Sequence, residues 1–89
     1  MDLERKVVLF ALSTCSACRK TREFLDRNSV EYLCVYLDTV DLESRDQLLE
    51  KVREYNPRET FPTLVIDGGN KVVIGFGEDE IRSALNLTN

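Results

Sequence analysis

The chain has 89 residues, room for one domain with a modest core, and its 43% hydrophobic and 31% charged residues are an ordinary globular mixture. Twelve Lys and Arg against sixteen Asp and Glu leave a net charge of -4, without the basic surplus of a nucleic-acid binder. The sequence contains no His, which excludes Ser-His-Asp and Cys-His catalysis and every imidazole metal site.

The segment Lys6 to Leu12 opens the ordered pattern. It is apolar, with β-branched and aromatic members, and suits a strand buried on both faces. Its apolar run, Val7 to Leu12, is far shorter than the ~20 residues of a membrane helix. The preceding Met1 to Lys6 does not build a secretory signal, so a soluble, cytoplasmic protein is expected. Ser13 and Thr14 supply turn and cap residues. From Ser16 to Asn28 the pattern is helical, with Cys18, Thr21, Phe24, Leu25 and Asn28 on one side. Glu31 to Leu37 is rich in β-formers and forms a second strand. Asp38 to Glu43 is a polar linker. Ser44 to Gln47 fits a capping box that opens a second helix, with Leu48, Leu49, Val52 and Tyr55 as its apolar face. Asn56-Pro57 stops it. Thr63 to Ile66 and Lys71 to Ile74 are short strands joined by Asp67-Gly68-Gly69-Asn70, a hairpin. After the turn Gly75-Phe76-Gly77, the acids Glu78, Asp79 and Glu80 favour a helix start. Ile81, Ala84 and Leu85 give that helix its apolar stripe.

The order is therefore β-α-β-α-β-β-α across residues 1–89, an α/β domain. The first βαβ unit predicts parallel strands with a right-handed crossover. The hairpin then adds antiparallel strands, giving a four-stranded mixed sheet with helices on both faces.

The cysteines are Cys15, Cys18 and Cys34, an odd number that builds no disulfide scaffold. Cys15-Ser16-Ala17-Cys18 is a C-x-x-C. It can be a redox pair or half a zinc site. Zinc wants four N or S ligands, and one chain offers only Cys34 as a third. Two chains could pool their pairs. Core packing is the remaining option for a free Cys. Position favours redox chemistry: the pair follows the first strand at the mouth of a helix, where open α/β sheets put their sites. A helix N-terminus favours a thiolate, and the Cys15 sulfur is expected to face the amides of Ala17 and Cys18. Arg19, Lys20 and Arg22 either add charge there or form a solvated face. Cys34 alternates with Tyr32 and Tyr36 and reads as core. In Thr60-Phe61-Pro62-Thr63, the residues alone favour an ordinary trans Pro opening a strand, since cis is ~5–6% of X-Pro bonds.

Three motifs together resemble the glutaredoxin family: Cys15-Ser16-Ala17-Cys18 after a buried strand, Thr60-Phe61-Pro62-Thr63 before a hairpin, and Gly75-Phe76-Gly77-Glu78-Asp79 before the last helix. The similarity runs over roughly residues 6–87. It implies a thioredoxin-like fold and thiol-disulfide oxidoreductase activity through Cys15 and Cys18, with no bound cofactor or metal. It also implies a cis Pro62 beside the cysteines. Thr60, Phe61 and Pro62, with Gly75, Phe76, Gly77, Glu78 and Asp79, would then bind the substrate. The implied partners of a monomer are a disulfide-bearing protein and an upstream reductase, with no nucleic acid or membrane. Leu12 stands where glutathione-using members carry Lys. Gly75-Phe76-Gly77 is similar to the glutaredoxin-like hydrogen donors of ribonucleotide reductase, which implies recharging by a thioredoxin-reductase-type flavoenzyme as an alternative to glutathione. Cys18 to Leu25 also resembles arsenate-reductase-like proteins, a family that the Phe61-Pro62-Thr63 hairpin and the short chain fit poorly. The alternative from another class is a non-catalytic metal or iron-sulfur module, dimeric through Cys15.

Overall fold

Strand β1, Val7–Ala11, has all five residues buried, as a short β-branched and aromatic run requires. It lies between two neighbours. It pairs in parallel with β2, Leu33–Tyr36, and antiparallel with β3, Thr63–Ile66. β3 continues through a 3-10 turn at Asp67–Gly69 into β4, Lys71–Ile74, its antiparallel partner. The spatial order is β2-β1-β3-β4. The structure is a computed structural model and describes residues 6–87. The start at Met1 to Arg5, judged above to build no signal, lies outside the described residues.

Alternation along β1 divides the core. Val7, Leu9 and Ala11 pack with Cys18, Phe24 and Leu25 of α1, Ser16–Arg27, and with Ile81 of α3, Glu78–Leu85. Val8 and Phe10 turn the other way, onto Leu48 and Val52 of α2, Leu42–Tyr55. The mixed sheet therefore carries α1 and α3 on one face and α2 on the other, as the sequence pattern predicts.

Strand β1 and helix α1 are trimmed by single residues from Lys6 to Leu12 and Ser16 to Asn28, and three further boundaries differ from the sequence expectation. The α1 cap is the sulfur of Cys15, not a hydroxyl of Ser13 or Thr14, because Ser13 is committed to Asp38 instead. Helix α2 starts at Leu42, inside the expected linker. Asp41 is its N-cap, and the Ser44 hydroxyl and nearby amides hold the Asp41 carboxyl below its ordinary range. Asp caps as well as Ser does, so the earlier of two competing caps prevails. β2 is shorter than Glu31 to Leu37, since pairing with β1 covers only Leu33 to Tyr36.

Between α2 and β3 the chain is folded around Asn56, which is fully buried. Its Nδ2 donates to the Thr60 carbonyl, Thr60 Oγ1 and Thr63 Oγ1, each at 3.0 Å. Its Oδ1 accepts from Arg58 N–H at 3.2 Å. Thr63 Oγ1 donates in turn to the Thr60 carbonyl at 2.7 Å. One side chain thus satisfies a loop that could not be buried otherwise. Removing it leaves buried acceptors unpaired, so Asn56→Ala is expected to lower the unfolding free energy by about 2–3 kcal/mol. A drop in the urea midpoint at unchanged slope measures this.

Candidate active site

Cys15 occupies the N-cap of α1, with extended backbone at φ -90° and ψ 119°. Its N–H donates to the Leu12 carbonyl at 3.3 Å, closing the turn that leaves β1. Its carbonyl accepts the Arg19 N–H at 3.1 Å, starting the helix. The side chain completes the cap: Cys18 N–H donates to Cys15 Sγ at 3.2 Å. A helix N-terminus leaves such amides without intrahelical partners, and the Cys15 sulfur supplies one. Cys15 is half-buried, so a partner can reach it.

Cys18 lies one turn on, pointing into the core at 1% exposure. Its thiol is pushed up to about 12, first by burial and then by its hydrogen bond with Cys15. At neutral pH this sulfur holds its proton. One reachable sulfur and one protonated, buried sulfur thus share a helix end. That division suits an attacking thiol and a resolving thiol.

The register brings the second motif alongside. Phe10 pairs with Thr63, so Pro62 lies one step beyond that pair, at the level of Ala11 and the exit of β1. The Phe61-Pro62 peptide bond is cis, the isomer that the resemblance implies and the base rate opposes. The Phe61 N–H and C=O take part in none of the turn and loop hydrogen bonds of the described residues. The Thr60 hydroxyl and carbonyl are turned toward Asn56 and brace the loop from behind. The Pro62 carbonyl accepts Gly75 N–H at 2.9 Å, which draws the third motif to the same end of the sheet. Gly75 has φ +82°, a left-handed conformation that a side chain would strain.

The rest of that motif is divided. Phe76 packs edge-on against Phe24, centroids 6.3 Å apart, and so anchors the loop onto α1. Gly77 is the N-cap of α3. Glu78 sits 3.8 Å from Arg27, at the far end of α1 from Cys15. Asp79 borders a depression between β4 and α3, with Lys71, Val73 and Ser83. Cys15, Cys18, Phe61, Pro62 and Gly75 therefore gather at one end of the sheet, while Glu78 and Asp79 open α3, with Glu78 beside Arg27 at the other end of α1.

The three cations also separate. Arg19 borders a small hollow with Ser13, Thr14, Cys15 and Ser16. Lys20 is exposed. Arg22 is drawn to β2, where it donates to the Tyr36 hydroxyl and stacks 5.6 Å from that ring. Cys34 lies half-buried on the same face, its thiol raised first by burial. Among the described residues, no group of three or more His, Cys, Asp or Glu side chains is arranged to hold a metal ion.

Sequence reasoning passed over Asp38. The Ser13 N–H donates to both of its carboxylate oxygens, at 3.0 and 3.1 Å, and the Ser13 hydroxyl donates at 2.6 Å. These bonds hold the Asp38 carboxyl below its ordinary range and tie the turn before Cys15 to the exit of β2. The pairing was visible in the register: Ala11 faces Tyr36 on parallel strands, so the residues two steps beyond meet.

A family model described as glutaredoxin matches residues 7–70. The chain is similar to the solved structure of a glutaredoxin from Methanosarcina mazei Go1, with 38% identity, 92% of this chain and 79% of that one covered, and a TM-score of 0.84. It is similar also to methanoredoxin from Methanosarcina acetivorans, with 34% identity, coverages of 92% and 85%, and a TM-score of 0.86. A glutaredoxin-like 8.6 kDa protein encoded in a rubredoxin operon of Clostridium pasteurianum is 27% identical over 75 residues, 84% of this chain and 91% of its own. The architecture is thus thioredoxin-like.

The two thiols are expected to differ in alkylation. At pH 7, the Cys18→Ser protein should lose its Cys15 thiol to iodoacetamide at least about tenfold faster than the Cys15→Ser protein loses Cys18. Raised in the fold from 9.0 to about 12, Cys18 favours folding below pH 9. That contribution is lost as pH rises toward 12, because the unfolded chain releases this proton first. Urea midpoints between pH 8 and 11 should therefore fall more steeply for the wild type than for Cys18→Ala.

Proposed function

This chain belongs to the glutaredoxin family, and from that premise we propose that it is a dithiol thiol-disulfide oxidoreductase acting on disulfides of proteins. The observation that carries the reading is the cysteine pair at the α1 N-terminus: a half-buried Cys15 sulfur accepting an amide N–H, and a buried, protonated Cys18 one turn behind it.

Cys15, as thiolate, attacks one sulfur of the substrate disulfide. A Cys15–substrate disulfide forms, and the other substrate sulfur leaves as a thiolate that takes up a proton. Cys18 then attacks Cys15 Sγ. Its own proton passes to the departing second thiolate, and a Cys15–Cys18 disulfide remains. Two electrons move from the dithiol to the substrate, and an upstream reductant returns them. Arg19 is the cation that borders the reacting sulfur. In this proposal the Phe61 backbone pairs with the extended partner segment, and the Thr60-to-Pro62 and Gly75-to-Asp79 segments frame it.

Leu12 bears on the electron donor. Glutathione carries two carboxylates, and Leu12 gives no positive charge where glutathione-using relatives carry Lys. An exposed ion pair is worth only ~0–1 kcal/mol, so its loss weakens binding about fivefold at most. The proposed donor is accordingly a thioredoxin-reductase-type flavoenzyme, with glutathione as the slower one. The protein would work as a monomer without a resident cofactor, in a reducing compartment such as the cytoplasm.

The test compares turnover on a disulfide substrate with each donor. The wild type should be recharged faster by the flavoenzyme. Leu12→Lys should raise the glutathione-supported rate up to about fivefold. Cys15→Ser should abolish turnover, while Cys18→Ser should accumulate a mixed disulfide visible by mass spectrometry. High wild-type activity with glutathione, unmoved by Leu12→Lys, would overturn the donor assignment.

A further inference from the structure

On the α2 side of the sheet, next to Leu12 and Phe61, lies a groove whose side-chain walls the cycle above does not use. It has a volume of about 250 Å3 and is lined by Leu12, Leu37, Asp38, Arg45, Leu49 and Phe61. Two of these residues border the motifs of the candidate site: the Leu12 carbonyl accepts the Cys15 N–H, and Phe61 precedes the cis Pro62. Leu37 is buried at the bottom, while Leu12, Leu49 and Phe61 are half-buried against the Phe10, Val35 and Val52 core. Sites for whole small molecules run to about 300–1,000 Å3, so this space suits a single side chain.

Its two charges are not equivalent. Asp38 is occupied by three hydrogen bonds from Ser13. Arg45 is exposed on the first turns of α2 and makes no salt bridge among the described residues. The groove therefore presents apolar walls and one uncommitted cation.

We propose that this groove is a specificity subsite for the protein segment that carries the substrate disulfide. It selects a large apolar side chain next to the substrate cysteine, accompanied by a carboxylate that pairs with Arg45. The proposal rests on the oxidoreductase reading above. Continuity with the site supports it: a segment whose sulfur meets Cys15 and whose backbone runs beside Phe61 passes over Leu12 and the groove. Leu12 is then a feature of substrate choice. It extends the apolar wall, where a Lys would place a charge against Leu37 and Leu49. Glutathione has no large apolar side chain and leaves the groove unfilled.

Disulfide-linked dimers of short peptides test this with the pre-reduced protein. In each event one peptide disulfide becomes two thiols as the Cys15–Cys18 dithiol is oxidised, and chromatography reads the products. Three peptides place Leu with Asp, Ala with Asp, or Leu with Lys beside the cysteine. The Leu-Asp dimer should react about tenfold faster than Ala-Asp, from apolar burial. It should outpace Leu-Lys about threefold, from one exposed charge pair. Arg45→Glu should invert the preference for Asp over Lys. Leu49→Lys should bring the Leu-to-Ala ratio near one. Equal rates for all three peptides, or preferences that survive both substitutions, would overturn the subsite. Bis(2-hydroxyethyl) disulfide, neutral and too small to fill the groove, separates the two levels of the argument. If the wild type reduces it but does not discriminate among peptides, the groove proposal alone falls. If the wild type does not reduce it, the oxidoreductase reading falls as well.

Discussion

Strand β1 must be dry on both faces, and much of the molecule follows from that. Its five residues alternate between two cores, so helices are needed above and below the sheet. It is hydrogen-bonded on both edges, so its direction fixes that of β2 and β3. The chain can leave such a strand only at its end, and the first residues free to do so lead straight to Cys15. The end of the most buried strand is thereby the place where α1, the β2 exit and the start of β3 converge. The proposed chemistry sits there, where a helix cap sets the Cys18 amide against the Cys15 sulfur at the end of a strand paired on both edges.

Much of this was legible in the sequence. The doubly apolar Val7 to Ala11, the helical period from Ser16 and the Gly-containing hairpin set the element order. Cys15 and Cys18 could be placed at a helix mouth from that order alone. The limits have physical causes. Asp41 and Ser44 are both competent caps, and local chemistry does not rank them; the longer helix is favoured once Leu48 and Val52 are seated on the sheet. Asn56 reads as a helix stop because it precedes Pro57, and nothing local reveals that Thr60 and Thr63 converge on its amide. Arg22 reads as part of a basic face, yet the Tyr36 hydroxyl and ring, brought near by the crossover, take it away from Cys15. In each case the deciding contact forms only once the chain has folded back on itself.

Electrostatics at the site is a matter of direction more than of amount. The chain is acidic overall, and of the four cations of α1, Arg19 is the one that borders the hollow lined by Cys15. Exposed charges act weakly through water. The Cys18 amide lies 3.2 Å from the Cys15 sulfur, in a half-buried setting with a fixed direction. The N-cap position keeps Cys15 within reach of a partner, while burial keeps Cys18 protonated. One helix turn thus produces two thiols of different character from the same residue type.

The tether between Ser13 and Asp38 gives the site a mechanical character. It joins the two loops that leave neighbouring parallel strands, and the Asn56 cluster braces the loop on the other side. Between these two fixings stand Cys15 and Cys18, one turn apart on α1. The proposed redox cycle would run on a frame that holds the loops on both sides of the thiols in place. Its pace is then set by how often partners arrive and how well they seat, so natural variation in speed would be written on the protein's rim and not in its interior.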